Sequence, residues 1–151
     1  MTEKCIPTTE AQMKIRRPVE DVFEAIVNPD ITTKFWFTKS SGKLASNSVV
    51  TWQWEMYNAS AEVYVRLVEK NSRIVFEWSE PSLSVEFTFL PLNDQSTYVV
   101  VKEWGYHETG PELIEAIKNS TGGFTTLLDG MKAYLEHGIQ LHLVEDKFSK
   151  E

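Results

Sequence analysis

From residue 50 to residue 104 the chain alternates apolar and polar residues through five consecutive stretches, which confines this region to antiparallel sheet. Val50, Trp52, Trp54 and Met56 share one face, opposed by Thr51, Gln53 and Glu55. Ala61, Val63, Val65 and Leu67 form the next apolar row, with Glu62, Tyr64 and Arg66 opposite. Ile74, Phe76 and Trp78 follow a Lys70-Asn71-Ser72 turn, and Leu83, Val85, Phe87 and Phe89 resume after Pro81-Ser82. Arg66, Glu77 and Glu86 fall on the outer face as solvated charges. The last stretch, TYVVVKEW, follows an Asn93-Asp94-Gln95 turn and leaves two registers open. Either Val99, Val101 and Glu103 face inward, or Val100, Lys102 and Trp104 do.

The flanks change period. Residues 11–16, AQMKIR, alternate as a strand with one wet side. Pro18 suits a helix start, Val19, Val22, Phe23 and Ile26 follow at helical spacing, and Asn28-Pro29-Asp30 ends the run. Residues 31–37, ITTKFWF, read as a second short helix. Gly110-Pro111 opens another helical stretch, with Leu113, Ile114 and Ile117 on its apolar side. Gly122-Gly123 costs about 1 kcal/mol per Gly relative to Ala, which predicts a kink or break. Phe124, Leu127, Leu128, Met131 and Leu135 then make an amphipathic stripe, and Gly138 fits the C′ position. The tail IQLHLVEDKFSKE alternates briefly, offering a segment that could pair at a sheet edge, before turning polar. Residues 1–9 and 145–151 are expected to be flexible. The order is strand, two short helices, five or six antiparallel strands and a long final helix. This is an α+β arrangement in which the helix covers the apolar face of the sheet.

Composition removes several classes of function. A chain of 151 residues fits one domain with a real core, and its net charge of −7, with Lys and Arg scattered among acids, argues against nucleic acid. Cys5 is the only cysteine, so no internal disulfide can form, and it has no evident base to make it a nucleophile. Neither a signal-peptide core nor a membrane-length apolar run is present, so the expected location is cytoplasmic without membrane insertion. The N-x-S/T triplets at Asn58 and Asn119 matter only in a secreted protein. His107, His137 and His142 lack metal-ligand spacing, and His137 suits the dipole at a helix C-terminus. No G-x-S-x-G, P-loop or G-x-G-x-x-G motif is present, so no metal, cofactor or catalytic set is indicated.

Several segments together resemble the START-like superfamily, with its helix-grip fold. Within it the chain is similar to homologues of the heat-shock-chaperone ATPase activator, a branch often labelled polyketide cyclase-like. The resemblance rests on R-x-P-V-E-x-V-F-E-A-I from Arg16 to Ile26, N-P-D at 28–30, and K-F-W-F at 34–37. R-I-V-F-E-W at 73–78, E-W-G-Y at 103–106, and G-G-F…L-L-D-G-M-K-A-Y-L-E-H-G at 122–138 complete it. Phe124 departs from the pattern, because a Trp commonly follows the glycine in relatives. The resemblance implies a pocket between the curved sheet and the final helix that takes a small apolar or amphipathic molecule.

The residues then expected to line such a pocket are Trp36, Trp52, Trp54, Met56, Val65, Phe76, Trp78, Phe87, Glu103, Phe124 and Leu128. Phe89 would point into the same space. Rings this large bury roughly 150–250 Å² each and either fill a core or wall a cavity. Glu103, if inward, could orient a ligand hydroxyl or act as an acid or base in a cyclase- or hydrolase-like enzyme. A chaperone-cofactor role is the other alternative that the resemblance raises.

Overall fold

The computed structural model describes residues 6–79 and 81–148. Its strands are β1 (Thr8–Ile15), β2 (Lys39–Ser40), β3 (Ser48–Trp54), β4 (Ala59–Glu69), β5 (Arg73–Trp78), β6 (Leu83–Asn93) and β7 (Ser96–Trp104). All pair antiparallel in one sheet, in the order β1-β7-β6-β5-β4-β3-β2. Six of these correspond to the rows read from the alternation, and β2 is the added one, two residues too short to show a period. β1 begins at Thr8, three residues before the alternation predicts, because it pairs with the whole length of β7. Cys5 lies outside the described residues.

Pairing settles the register of β7. Residues directly opposite in an antiparallel pair share a face. Val85, Phe87 and Phe89 stand opposite Glu103, Val101 and Val99, and all six are buried. Glu103 therefore points inward. In β4 the alternation slips: Val65 pairs with Phe76, but Leu67 pairs with Val75 and Val68 with Ile74. This bulge turns Val68 toward the core in place of the expected Leu67, because one extra residue inverts the phase of a period-two pattern.

The apolar row of β3 is also shorter than it reads. The strand ends at Trp54, and Glu55–Tyr57 coil into a 3-10 turn closed by Asn58 at φ 51°. Met56 thereby leaves the face it was expected to share with Trp52 and Trp54. A connection of four residues between β3 and β4 has to reverse at once, and Asn tolerates the left-handed conformation this needs.

Helix α1 (Val19–Val27) is capped by Pro18 and buries Val22, Phe23, Ala25 and Ile26. Asn28 then starts a further helix as well as stopping α1. Its side chain accepts from the Asp30 N–H at 3.1 Å, and Pro29 opens α2 (Pro29–Thr32). The helix expected at 31–37 is therefore displaced, and Phe35, Trp36 and Phe37 follow it in tight turns. Consecutive residues in a helix point about 100° apart, so three adjacent rings cannot share its buried face. Outside the helix all three are buried.

Helix α3 (Gly110–His137) runs 28 residues without the break expected at Gly122-Gly123. Phe124, Leu127, Leu128 and Met131 bury their side chains against the sheet, which offsets the local cost of the two glycines. Gly138, at φ 67°, ends the helix, and its N–H donates to the Tyr134 carbonyl at 2.8 Å. The chain then turns at His142 (φ 57°) into α4 (Leu143–Asp146), so the described part of the tail is no edge strand. The sheet wrapped on α3 is the helix-grip fold. Among the described residues no helix is long and apolar enough to cross a membrane.

Candidate ligand-binding cavity

Trp36, carried inward by the turn after α2, sits at the centre of a ring cluster. Its centroid lies 4.9 Å from Trp52, 6.1 Å from Trp54 and 6.0 Å from both Trp78 and Phe87. Phe37 stacks on Trp52 at 4.6 Å, and Phe76 meets Trp52 edge-on at 5.3 Å. At this depth the interior is solid. Trp52, Val65, Phe76, Phe87 and Leu128 are each no more than 2% exposed, and none borders the cavity that opens above them.

That cavity has a volume of about 340 Å³. Trp36, Trp54 and Trp78 form its base, and Asn119, Ser120, Gly123, Phe124 and Thr126 of α3 form one side. Tyr57 and Ala59 stand at another, and Val144, Lys147 and Phe148 close over from the tail. Small residues explain why the rings leave space. Ala59 is the cross-strand partner of Trp54 and shares its face, while Gly123 presents no side chain from the helix. The volume is about twice that of an apolar cavity able to hold benzene, and within the range of small-molecule sites.

Of the residues expected from sequence, Trp36, Trp54, Trp78 and Phe124 border this space. Met56 borders a separate hollow of about 170 Å³, beside Phe35, Thr38 and Leu143. Glu103 lies behind Trp78. The residues the sequence reading missed are of two kinds. Asn119, Gly123 and Thr126 recur at i, i+4 and i+7 beside the apolar stripe of α3, a spacing that could have pointed to them. Tyr57, Val144, Lys147 and Phe148 carry no such signal, because the 3-10 turn after β3 brings the first there and the returning tail the other three.

Glu103 is 1% exposed and accepts two hydrogen bonds. Trp78 Nε1 donates to its Oε2 at 2.8 Å, and the Tyr106 hydroxyl donates to its Oε1 at 2.9 Å. The Tyr106 hydroxyl is also hydrogen-bonded to Thr9 Oγ1. Among the described residues no cationic nitrogen forms an ion pair with Glu103. Burial raises the Tyr106 phenol above its ordinary pKa; bonds to Ser120 and Thr9 oppose this and the Glu103 carboxylate reinforces it. Tyr106 is thus a neutral donor at physiological pH. The network fixes the Trp78 indole, and through Ser120 it reaches the cavity wall. No group of three or more His, Cys, Asp or Glu able to hold a metal occurs among the described residues.

A curved antiparallel sheet gripping a long helix, with a ring-walled cavity between them, defines a START-like protein. More narrowly, the chain belongs to the family described as activator of Hsp90 ATPase homolog 1-like protein, whose model matches residues 16–136. A Staphylococcus saprophyticus protein of known structure is 27% identical with a TM-score of 0.78, covering 89% of this chain and 95% of its own. The Aha1 dimer from Colwellia psychrerythraea shares the fold at 18% identity and a TM-score of 0.73, covering 87% and 97%. DynU16, from the dynemicin biosynthetic locus, does so at 19% and 0.78; this chain, 89% of it aligned, spans 49% of that one. Comparison with curated protein sequences gives no match.

Proposed function

We propose that this protein is a binding module that takes a small hydrophobic or amphipathic molecule into the cavity between sheet and α3. The observation that carries this reading is the space of about 340 Å³ above Trp54 and Trp78, left open by Ala59 and Gly123 and bordered by six aromatic rings. These rings are Trp36, Trp54, Tyr57, Trp78, Phe124 and Phe148. Natural cores close such gaps, since each unfilled methyl-sized void costs about 1 kcal/mol. Rigid rings held open are suited to a guest that is itself flat and apolar.

Catalysis is the weaker reading. Glu103 is the buried carboxylate such a reaction would use, yet both its oxygens are engaged and the Trp78 indole stands between it and the cavity. Its geometry suits holding the wall in place. Assembly with a chaperone has the support of the family description alone.

Native mass spectrometry of the protein purified from its own host tests the proposal directly, with a retained small organic molecule as the expected result. Trp54→Ala sharpens it. Trp54 is half-buried at the cavity base, so its removal should weaken a bound aromatic probe at least about tenfold and destabilise the fold by no more than about 2 kcal/mol. Unchanged affinity accompanied by a stability loss of about 3–5 kcal/mol would instead mark the ring as core.

A further inference from the structure

The cavity has one charged lining residue among those described, Lys147, and no carboxylate faces it there. Arg17, Arg66, Arg73, Lys102, Lys118 and Lys132 each have an acidic partner within 4 Å. Lys147 forms no such pair with a described residue, although Glu145 and Asp146 adjoin it in sequence. Lys14, Lys34, Lys39, Lys43 and Lys70 likewise form no ion pair with a described residue, so what sets Lys147 apart is its place on the lining of this cavity. The Lys147 ammonium lies against α3. A β-carbon built at Gly122 would stand 3.3 Å from Lys147 Nζ, so the missing side chain is what admits the charge to the helix surface. The ammonium is also 5.6 Å from the centroid of the Phe148 ring, at the cavity mouth.

Polar groups gather at this end. Asn119 and Thr126 lie one helical turn before and after Gly122, on its face of α3, and both line the cavity. The Trp54 and Trp78 rings floor the opposite side. The cavity is thus apolar at depth, with a cation that has no acidic partner among the described residues and an amide donor at its rim. An ammonium has three donors and no acceptor, so its complement is an anionic oxygen.

We propose that the ligand class is the amphipathic organic anion: a flat body of about two or three rings carrying one carboxylate or sulfonate, its rings over Trp54 and Trp78 and its charge at Lys147. A diacyl lipid is too large for the space, and a cationic amphiphile would meet the ammonium unfavourably. This inference rests on the binding reading above, and the experiment separates the two.

Two fluorescent probes differ chiefly in charge: anilinonaphthalene sulfonate, and phenylnaphthylamine, which lacks the sulfonate. Titration of the full chain with each, in wild type, Lys147→Met, Lys147→Arg and Trp54→Ala, gives distinct outcomes. Expected is a loss of about three- to tenfold in sulfonate affinity in Lys147→Met, recovered in Lys147→Arg, with phenylnaphthylamine unchanged. Raising NaCl from about 20 to 500 mM should weaken the sulfonate in wild type more than in Lys147→Met. If Lys147→Met leaves sulfonate binding intact while Trp54→Ala weakens both probes, the anion anchor is wrong and the cavity reading stands. If neither probe binds the folded wild type, both are wrong.

Discussion

Trp52 and Trp54 are two residues apart on one strand face and have different surroundings. Trp52 is 1% exposed and touched by rings on several sides, whereas Trp54 opposes Ala59 and borders open space. Trp52→Ala should cost about 3–5 kcal/mol, measured by urea unfolding, because it empties a closed core. Glu103 makes a second contrast. Glu103→Leu leaves the Trp78 N–H without its acceptor, at about 1–3 kcal/mol, while the Tyr106 hydroxyl keeps Thr9 Oγ1 as a partner. Glu103→Gln keeps one acceptor oxygen and should lose less, while shifting the Trp78 environment in near-ultraviolet circular dichroism. The outer-face pair of Arg66 and Glu77 is half-exposed at best, and replacing it should change stability little.

The glycines of α3 behave differently along the same helix. A β-carbon at Gly123 would meet nothing within 4 Å, so Gly123→Ala should stabilise the helix by about 0.5–1 kcal/mol while projecting a methyl into the cavity. Higher melting temperature with weaker probe binding is the expected pair of results. At Gly130 a β-carbon would lie 3.3 Å from Phe35 Cβ and 3.4 Å from the Phe35 carbonyl oxygen. Phe35 is pinned in the turn after α2, so Gly130→Ala should lower the melting temperature despite its better helix propensity. The continuous α3 shows why the Gly122-Gly123 expectation did not hold. Local propensity disfavours each glycine by about 1 kcal/mol, and burial of four large side chains within the next eight residues outweighs it.

Two long-range ties set the shape of the molecule. The first is Glu136, whose Oε2 accepts from the Arg16 N–H at 2.7 Å and from Lys132 Nζ at 2.6 Å, while Lys132 also donates to the Lys14 carbonyl. Burial, the largest influence, pushes the Glu136 carboxyl up, but Lys132, the Arg16 N–H and His137 together hold it below the usual glutamate value. A depressed folded-state pKa adds stability above the unfolded value and loses it as pH falls through the folded value. Glu136→Gln should therefore be less stable than wild type at neutral pH, with the gap narrowing on acidification to about pH 3. The second tie is Tyr57, whose hydroxyl donates to the backbone carbonyls of Val144 and Glu145 and holds α4 over the cavity. Tyr57→Phe should speed amide hydrogen exchange across residues 143–148 with little change in global stability.

Spacing between near neighbours fixed most of the architecture. Residues two apart in a strand, or three and four apart in a helix, share a face whatever else the chain does, so the inward rows of β3 to β6 and the stripe of α3 follow from their own segments. Two features already lay outside that logic: the bulge after Val65, and the register of β7, which Val85, Phe87 and Phe89 resolve only by pairing. The cavity lies further outside it. Its existence depends on Ala59 standing across from Trp54, on Gly123 arriving from the far helix, and on Val144, Lys147 and Phe148 returning over both. Trp54, Trp78 and Phe124 are at its border because they are large and inward, which periodicity conveys, whereas Trp36 is brought there by the turn after α2. Where large residues fail to meet is set by the sizes of groups distant in the chain, and no local pattern records that distance.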